Sequence, residues 1–121
     1  GARYSLPGTN ISIVHLRGTA YEMGQQYGML MKQEINELFT DFFQWIDSEI
    51  NNYLDKVPAT IRQWLEQYGV PDAMQLTVDA TAPHTPQHWI DLINGMANTT
   101  GINATTIHRI VLFPEIIKAS C

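Results

Sequence analysis

The sequence predicts a mostly helical α+β fold with one N-terminal strand. Three observations predict it. Residues 10–17 alternate as a strand does, helix-start chemistry follows immediately, and apolar rows at helical spacing then run on with few interruptions. In the strand, Ile11, Ile13 and His15 point one way while Ser12, Val14 and Leu16 point the other. Both sides are largely apolar, which suits a sheet covered on both faces. Residues 1–9, with Pro7-Gly8, read as a turn or loose arm. A lone strand cannot satisfy its own backbone edges. Residues 1–121 therefore read as a single incomplete domain, completed by sequence beyond Cys121 or by a partner chain.

Thr19 and Glu22 have the spacing of a capping box, in which the hydroxyl accepts from the Glu22 N–H and the carboxylate reaches back to the Thr19 N–H. Gly18 suits the sharp turn before it. Gly24 and Gly28 share a helix face, and each costs about 1 kcal/mol relative to Ala. Their spacing predicts an element packed close against the helix backbone. The helix is expected over residues 19–56, with a break near 47–51. One row holds Met31, Ile35, Leu38, Phe42, Trp45 and Glu49, and a second holds Phe39, Phe43, Ile46, Ile50, Tyr53 and Val57. Two adjacent rows predict burial on more than one side. Val57-Pro58 ends this helix. A short helix over 60–68 follows, with Thr60 to Gln63 as a second capping box and Gly69 as its stop. Residues 70–83 read as irregular. Thr85-Pro86 opens the next helix, closed at Thr99-Thr100-Gly101. Asn103 caps a last helix that ends near Phe113, before Pro114.

Composition narrows the function classes. Apolar residues are 45% of the chain and charged residues only 16%, against a usual charged share of about 25%. The low share points to a surface covered by a partner chain or by glycans. The net charge of −5, with scattered lysines, argues against nucleic acid as a partner. No stretch approaches the roughly 20 apolar residues of a membrane span. Three Asn-x-Ser/Thr sequons, at Asn10, Asn98 and Asn103, favour a secreted or lysosomal glycoprotein. The histidines, His15, His84, His88 and His108, form no cluster with cysteines, so no metal site is expected.

Cys121 is the only cysteine, so it has no intrachain disulfide partner. In a secretory protein such a residue marks an interchain bond or a functional thiol. The pattern Gly-Thr-x-x-Glu-x-Gly-x-x-x-Gly of residues 18–28, a long helical stretch and then this lone Cys together resemble one family. It is the N-terminal-nucleophile (Ntn) hydrolases of the penicillin acyltransferase type, with their acid-ceramidase-like relatives. Residues 100–112 look like that family's last helix before its nucleophile. The short connection 113–120 is closer to the ceramidase-like members.

The resemblance implies an αββα sandwich, of which this chain is the small (alpha) subunit contributing one N-terminal strand. It implies an autoproteolytic cysteine amidase or acyltransferase acting on linear non-peptide amides, of the N-acyl amide or N-acyl lipid class. Cys121 would be the nucleophile and Ser120–Cys121 the cleaved bond, unless the cut falls after Cys121. The partner would be a large (beta) subunit from the same precursor, carrying an oxyanion-stabilising Asn and an Arg/Asp pair. No cofactor is implied. Arg17 and Glu22 are candidates to support the site from behind, though a purely structural role suits them better. Two other classes fit the residues. One is a non-catalytic helical interaction subunit, disulfide-linked through Cys121. The other is a lipid-binding helical module using Met23, Met29, Met31 and the Phe39/Phe42/Phe43 group, against which a single cysteine argues.

Overall fold

The computed structural model describes the backbone of residues 1–54, 56 and 58–119, with side chains described except at 47, 49–51, 53–54, 61, 64–65 and 116–119. Ala2–Ser5 (β1) pairs antiparallel with Ser12–His15 (β2), Ala2 opposite His15 and Ser5 opposite Ser12. The first residues are therefore a strand, not a loose arm, and the predicted strand is shorter and has a partner. The connection closes on itself: the Leu6 N–H donates to Ile11 O (3.0 Å) and the Thr9 N–H to Leu6 O (3.2 Å). The Thr9 hydroxyl donates to Leu6 O and accepts from the Ile11 N–H. The two strands leave Tyr4, Ile11 and Ile13 more than half exposed. Among the described residues, that apolar face is covered by nothing.

Ala20–Leu30 (α1) follows the predicted cap at Thr19. Met31 leaves helical geometry (φ −116°, ψ 18°), and Lys32–Leu54 (α2) begins after it. The expected single helix thus breaks at Met31 and runs on through 47–51. The change of face explains the position: α1 presents glycines for close approach, whereas α2 presents large apolar side chains. In α2, Ile35, Phe39 and Ile46 are buried, while Leu38, Phe43 and Trp45 stay exposed. The covered positions come from both rows, and each row also keeps an exposed aromatic, Trp45 in the first and Phe43 in the second. Glu49, Ile50, Tyr53 and Val57 lie outside the described side chains.

Ala59–Thr81 (α3) begins before the expected capping box, with Pro58 at the cap position and no side-chain bond from it. Gly69 breaks the helix (φ 82°, ψ 170°), in a region only glycine enters freely. Residues 71–81 then return to helix instead of remaining irregular, because Pro71 sits in a first turn that needs no N–H from it. A 3-10 turn, Ala82–His84, leads to Gln87–Thr100 (α4), which closes at Gly101 as expected. Ala104–Ala119 (α5) continues through Pro114, past its expected end. An interior proline costs about 3 kcal/mol. Packing on either side offsets it: Ile107 is fully buried, and the Phe113 ring meets Phe42 edge-on with centroids 4.9 Å apart.

The chain forms two compact units. The first is Gly1–Leu38 with Thr85–Ala104, and the second is Phe39–His84 with the residues from Thr105 on. In the first, α1 and α4 run in the same direction at very short separation. A Cβ added to Gly24 would collide with Leu92 O and lie 2.9 Å from Leu92 C. One on Gly28 would collide with the Thr99 hydroxyl and lie 3.0 Å from Met96 O. One on Gly95, from the other side, would collide with Tyr21 O and lie 2.8 Å from the Gln25 nitrogen. The close approach expected from Gly24 and Gly28 is present, and α4 supplies a third glycine to it.

This seam reverses the ordinary sign of a glycine substitution. Gly→Ala in a helix normally stabilises by about 1 kcal/mol. Here Gly24→Ala and Gly95→Ala should each destabilise by about 1–3 kcal/mol, because backbone must move to admit the methyl group. The double variant should cost less than the two separately, since one displacement of the helices relieves both. Urea or thermal unfolding of the three variants measures this.

Candidate functional site

Of the residues singled out by the sequence, Thr19 and Glu22 lie at the strand-to-helix turn. Glu22 Oε2 accepts from the Thr19 N–H (2.8 Å) and the Thr19 hydroxyl (3.0 Å), while the Glu22 N–H donates to Thr19 Oγ1 (3.3 Å). The box is complete in both directions. The Thr19 N–H, and then its hydroxyl, hold the Glu22 carboxyl below its usual range. Glu22 is thus committed to the helix start.

Two further residues, neither marked by a local motif, tie the hairpin to the helices. Gln26 clamps Arg17: its Nε2 donates to Arg17 O (2.7 Å), and the Arg17 N–H donates to its Oε1 (3.1 Å). A side-chain amide thereby takes the place of a neighbouring strand just beyond β2. Arg3, placed by β1, donates from Nε to Ser12 Oγ (3.1 Å) and from Nη1 to Leu30 O (3.2 Å), and its Nη2 pairs with Glu34. No basic residue stands in the last turn of α1, so Arg3 supplies the cation there from a distance. Its hydrogen bond holds the Glu34 carboxyl below its usual range. Glu34 Oε2 is enclosed and, among the described residues, accepts no hydrogen bond.

A second feature belongs to the other unit. Phe43, Ile46, Val70, Pro71, Met74, Thr106 and Arg109 line a cavity of about 310 Å³. The break at Gly69 places Val70 and Pro71 along one side. Arg109 Nε donates to Gln75 Oε1 (2.9 Å), and Gln75 Nε2 donates in turn to Asp79 Oδ1 (2.8 Å). The apolar rows single out only Phe43 and Ile46 among these side chains, and no spacing shows that room remains between them.

The sequons fall in different surroundings. Asn10 lies in the fully exposed connection between β1 and β2. Asn98 sits on α4 rather than in a loop, and its Oδ1 accepts from Gln25 Nε2 (2.9 Å). The sequon's Thr100 is buried, its hydroxyl donating to Met96 O (2.8 Å). Asn103 directly precedes α5, where a cap was expected. Ser120 and Cys121 lie outside the described residues; α5 is helical as far as Ala119. Among the described residues no group of three or more His, Cys, Asp or Glu could hold a metal ion. None of their helices is long and apolar enough to cross a membrane.

The chain is similar to two proteins of Dictyostelium discoideum. Protein dcd1A is 39% identical over 119 residues, which are 95% of this chain and 27% of that protein. Protein dcd1B is 33% identical over 116 residues, 92% of this chain and 23% of that protein. The chain thus spans about a quarter of the length of these relatives. No family model and no solved structure matches it.

The Glu22 cap makes the turn pH-sensitive in a defined direction. Its pKa is lowered on folding from about 4.5, so its contribution is present above that value and is lost as pH falls through the folded one. Glu22→Ala should lower the melting temperature at pH 7, and the difference from the wild type should shrink as pH falls from 7 into the acid range below the folded pKa. Melting curves across that range decide this; a difference undiminished in acid would contradict it.

Proposed function

We propose that this chain is the small-subunit region of an autoproteolytically activated cysteine hydrolase of the Ntn type. It cleaves linear non-peptide amides of the N-acyl amide or N-acyl lipid class. The observation that carries the reading is the strand–cap–glycine-helix unit of residues 12–30. Its motif residues are all engaged, Thr19 and Glu22 in the cap and Gly24 and Gly28 in the α1–α4 seam. The open apolar face of the hairpin supports a partner sheet that completes the sandwich. The large subunit of the same precursor would supply that sheet, and the length of the relatives leaves room for it.

The chemistry follows from one residue. In the precursor the Cys121 thiol attacks the Ser120 carbonyl, the acyl group moves from nitrogen to sulfur, and water hydrolyses the thioester. The freed α-amine has a pKa of about 7.7–8.0, near the thiol's value of about 8.5. It can therefore accept the thiol proton, directly or through one water, as the sulfur attacks the substrate carbonyl. The acyl-enzyme is then hydrolysed or passed to an amine acceptor. Substrate identity rests with the large subunit and the groups it brings.

Cys121→Ala in the full precursor should remain one chain and lose amidase activity by at least about 10³-fold. Electrophoresis and an N-acyl amide assay measure both. A variant that still splits at Ser120–Cys121 and turns over substrate would overturn the reading. A wild-type protein that stays uncut, lacks activity and loses a partner chain on reduction would favour the disulfide-linked interaction subunit.

The reading places the protein in a lysosomal or secreted setting, where the sequons are used. Asn10 is then the best-presented acceptor. Glycosidase treatment should lower the intact mass, and Asn10→Gln should remove one glycan's worth of the change. An unchanged mass from a eukaryotic secretory host would refute the assignment.

A further inference from the structure

The cavity between α2, α3 and α5 has a composition that selects a ligand. Five of its lining side chains, Phe43, Ile46, Val70, Pro71 and Met74, are apolar, and Thr106 adds one hydroxyl. Arg109 is the cation among them. Its Nε is bound by a neutral acceptor, Gln75, whose amide is turned that way by its bond to Asp79. Among the described residues neither Nη1 nor Nη2 has a hydrogen-bond partner, and no carboxylate pairs with the guanidinium. A half-buried guanidinium in apolar surroundings is poorly compensated without an anion. Its two Nη groups match the oxygens of a carboxylate in bidentate geometry. The volume, about 310 Å³, is at the small end of ligand pockets, roughly 300–1,000 Å³.

We infer that this cavity binds a monoanionic amphiphile, a carboxylate carrying a medium-length alkyl tail. The head is held by Arg109 and the tail lies along Phe43, Ile46, Val70 and Met74. Arg109 and the cavity carry the assignment, which is independent of the role given to Cys121. The site is a binding site, with no bond made or broken in it.

Isothermal titration of the full-length protein with decanoate, decanol and butyrate tests it. Decanoate should saturate one site per chain. Decanol, which lacks the charge, and butyrate, which lacks the tail, should each bind at least about tenfold more weakly. Arg109→Gln should abolish the preference for decanoate over decanol. Val70→Trp, which fills the cavity and leaves Arg109 in the chain, should remove saturable binding of both. The wild-type comparison of the three probes needs no variant to fold. Equal affinity for decanoate and decanol would overturn the inference. So would unchanged decanoate binding in Arg109→Gln, or no saturable binding by the folded full-length protein.

Discussion

The first unit depends on the contact of backbone with backbone where α1 meets α4. Gly24, Gly28 and Gly95 remove the side chains that would hold the helices apart, and neighbouring polar groups use the proximity. The Thr99 hydroxyl donates to Gln25 O (3.1 Å), and Gln25 donates to Asn98. Side-chain burial is correspondingly modest, with Ile93 and Met96 the large apolar residues of α4 that are buried. Fit, rather than bulk, sets the geometry here. Interiors packed this closely transmit displacement instead of absorbing it.

Around that contact the remaining polar bonds fix where the hairpin stands. Gln26 holds the chain leaving β2, and Arg3 holds β1 to the end of α1 and the start of α2. The proposed catalytic chemistry needs this rigidity only indirectly. A sheet that continues into a second subunit would take its direction from the first strands laid down, and these are tied to the helices at both ends.

Local rules read well in the sequence, and tertiary ones did not. The Thr19–Glu22 cap was legible because both partners lie within one turn. The glycine spacing announced a close neighbour but not its identity, since Gly95 is distant in the chain and lacks the Gly24/Gly28 spacing. Arg3 looked like part of a loose arm because nothing near it in sequence shows its partners, Leu30 and Glu34. Pro114 and residues 71–81 depart from the sequence expectation for the opposite reason: packing, or a first-turn position, overrides the local breaking tendency of proline. Of the candidate site, Cys121 was visible from its uniqueness alone, and it lies outside the described residues. Arg109 stood in an ordinary helical pattern, and the space beside it exists only once the break at Gly69 has displaced Val70 and Pro71.

The order of the two units along the chain has a kinetic consequence. The seam joins residues far apart, as in the Gln25–Asn98 bond that closes across 73 positions. Everything between Leu38 and Thr85 belongs to the other unit. The first unit therefore cannot complete itself on the ribosome until the intervening helices have been synthesised. Those helices rest on local contacts, which form fastest. Their early folding would shorten the effective loop before α4 arrives. Loop-closure entropy grows slowly, by about 0.6 kcal/mol per doubling of length. Extra residues in the α2–α3 connection would then disturb the seam little, whereas a lesion that kept those helices unfolded would leave a nascent α1 exposed until its partner arrived.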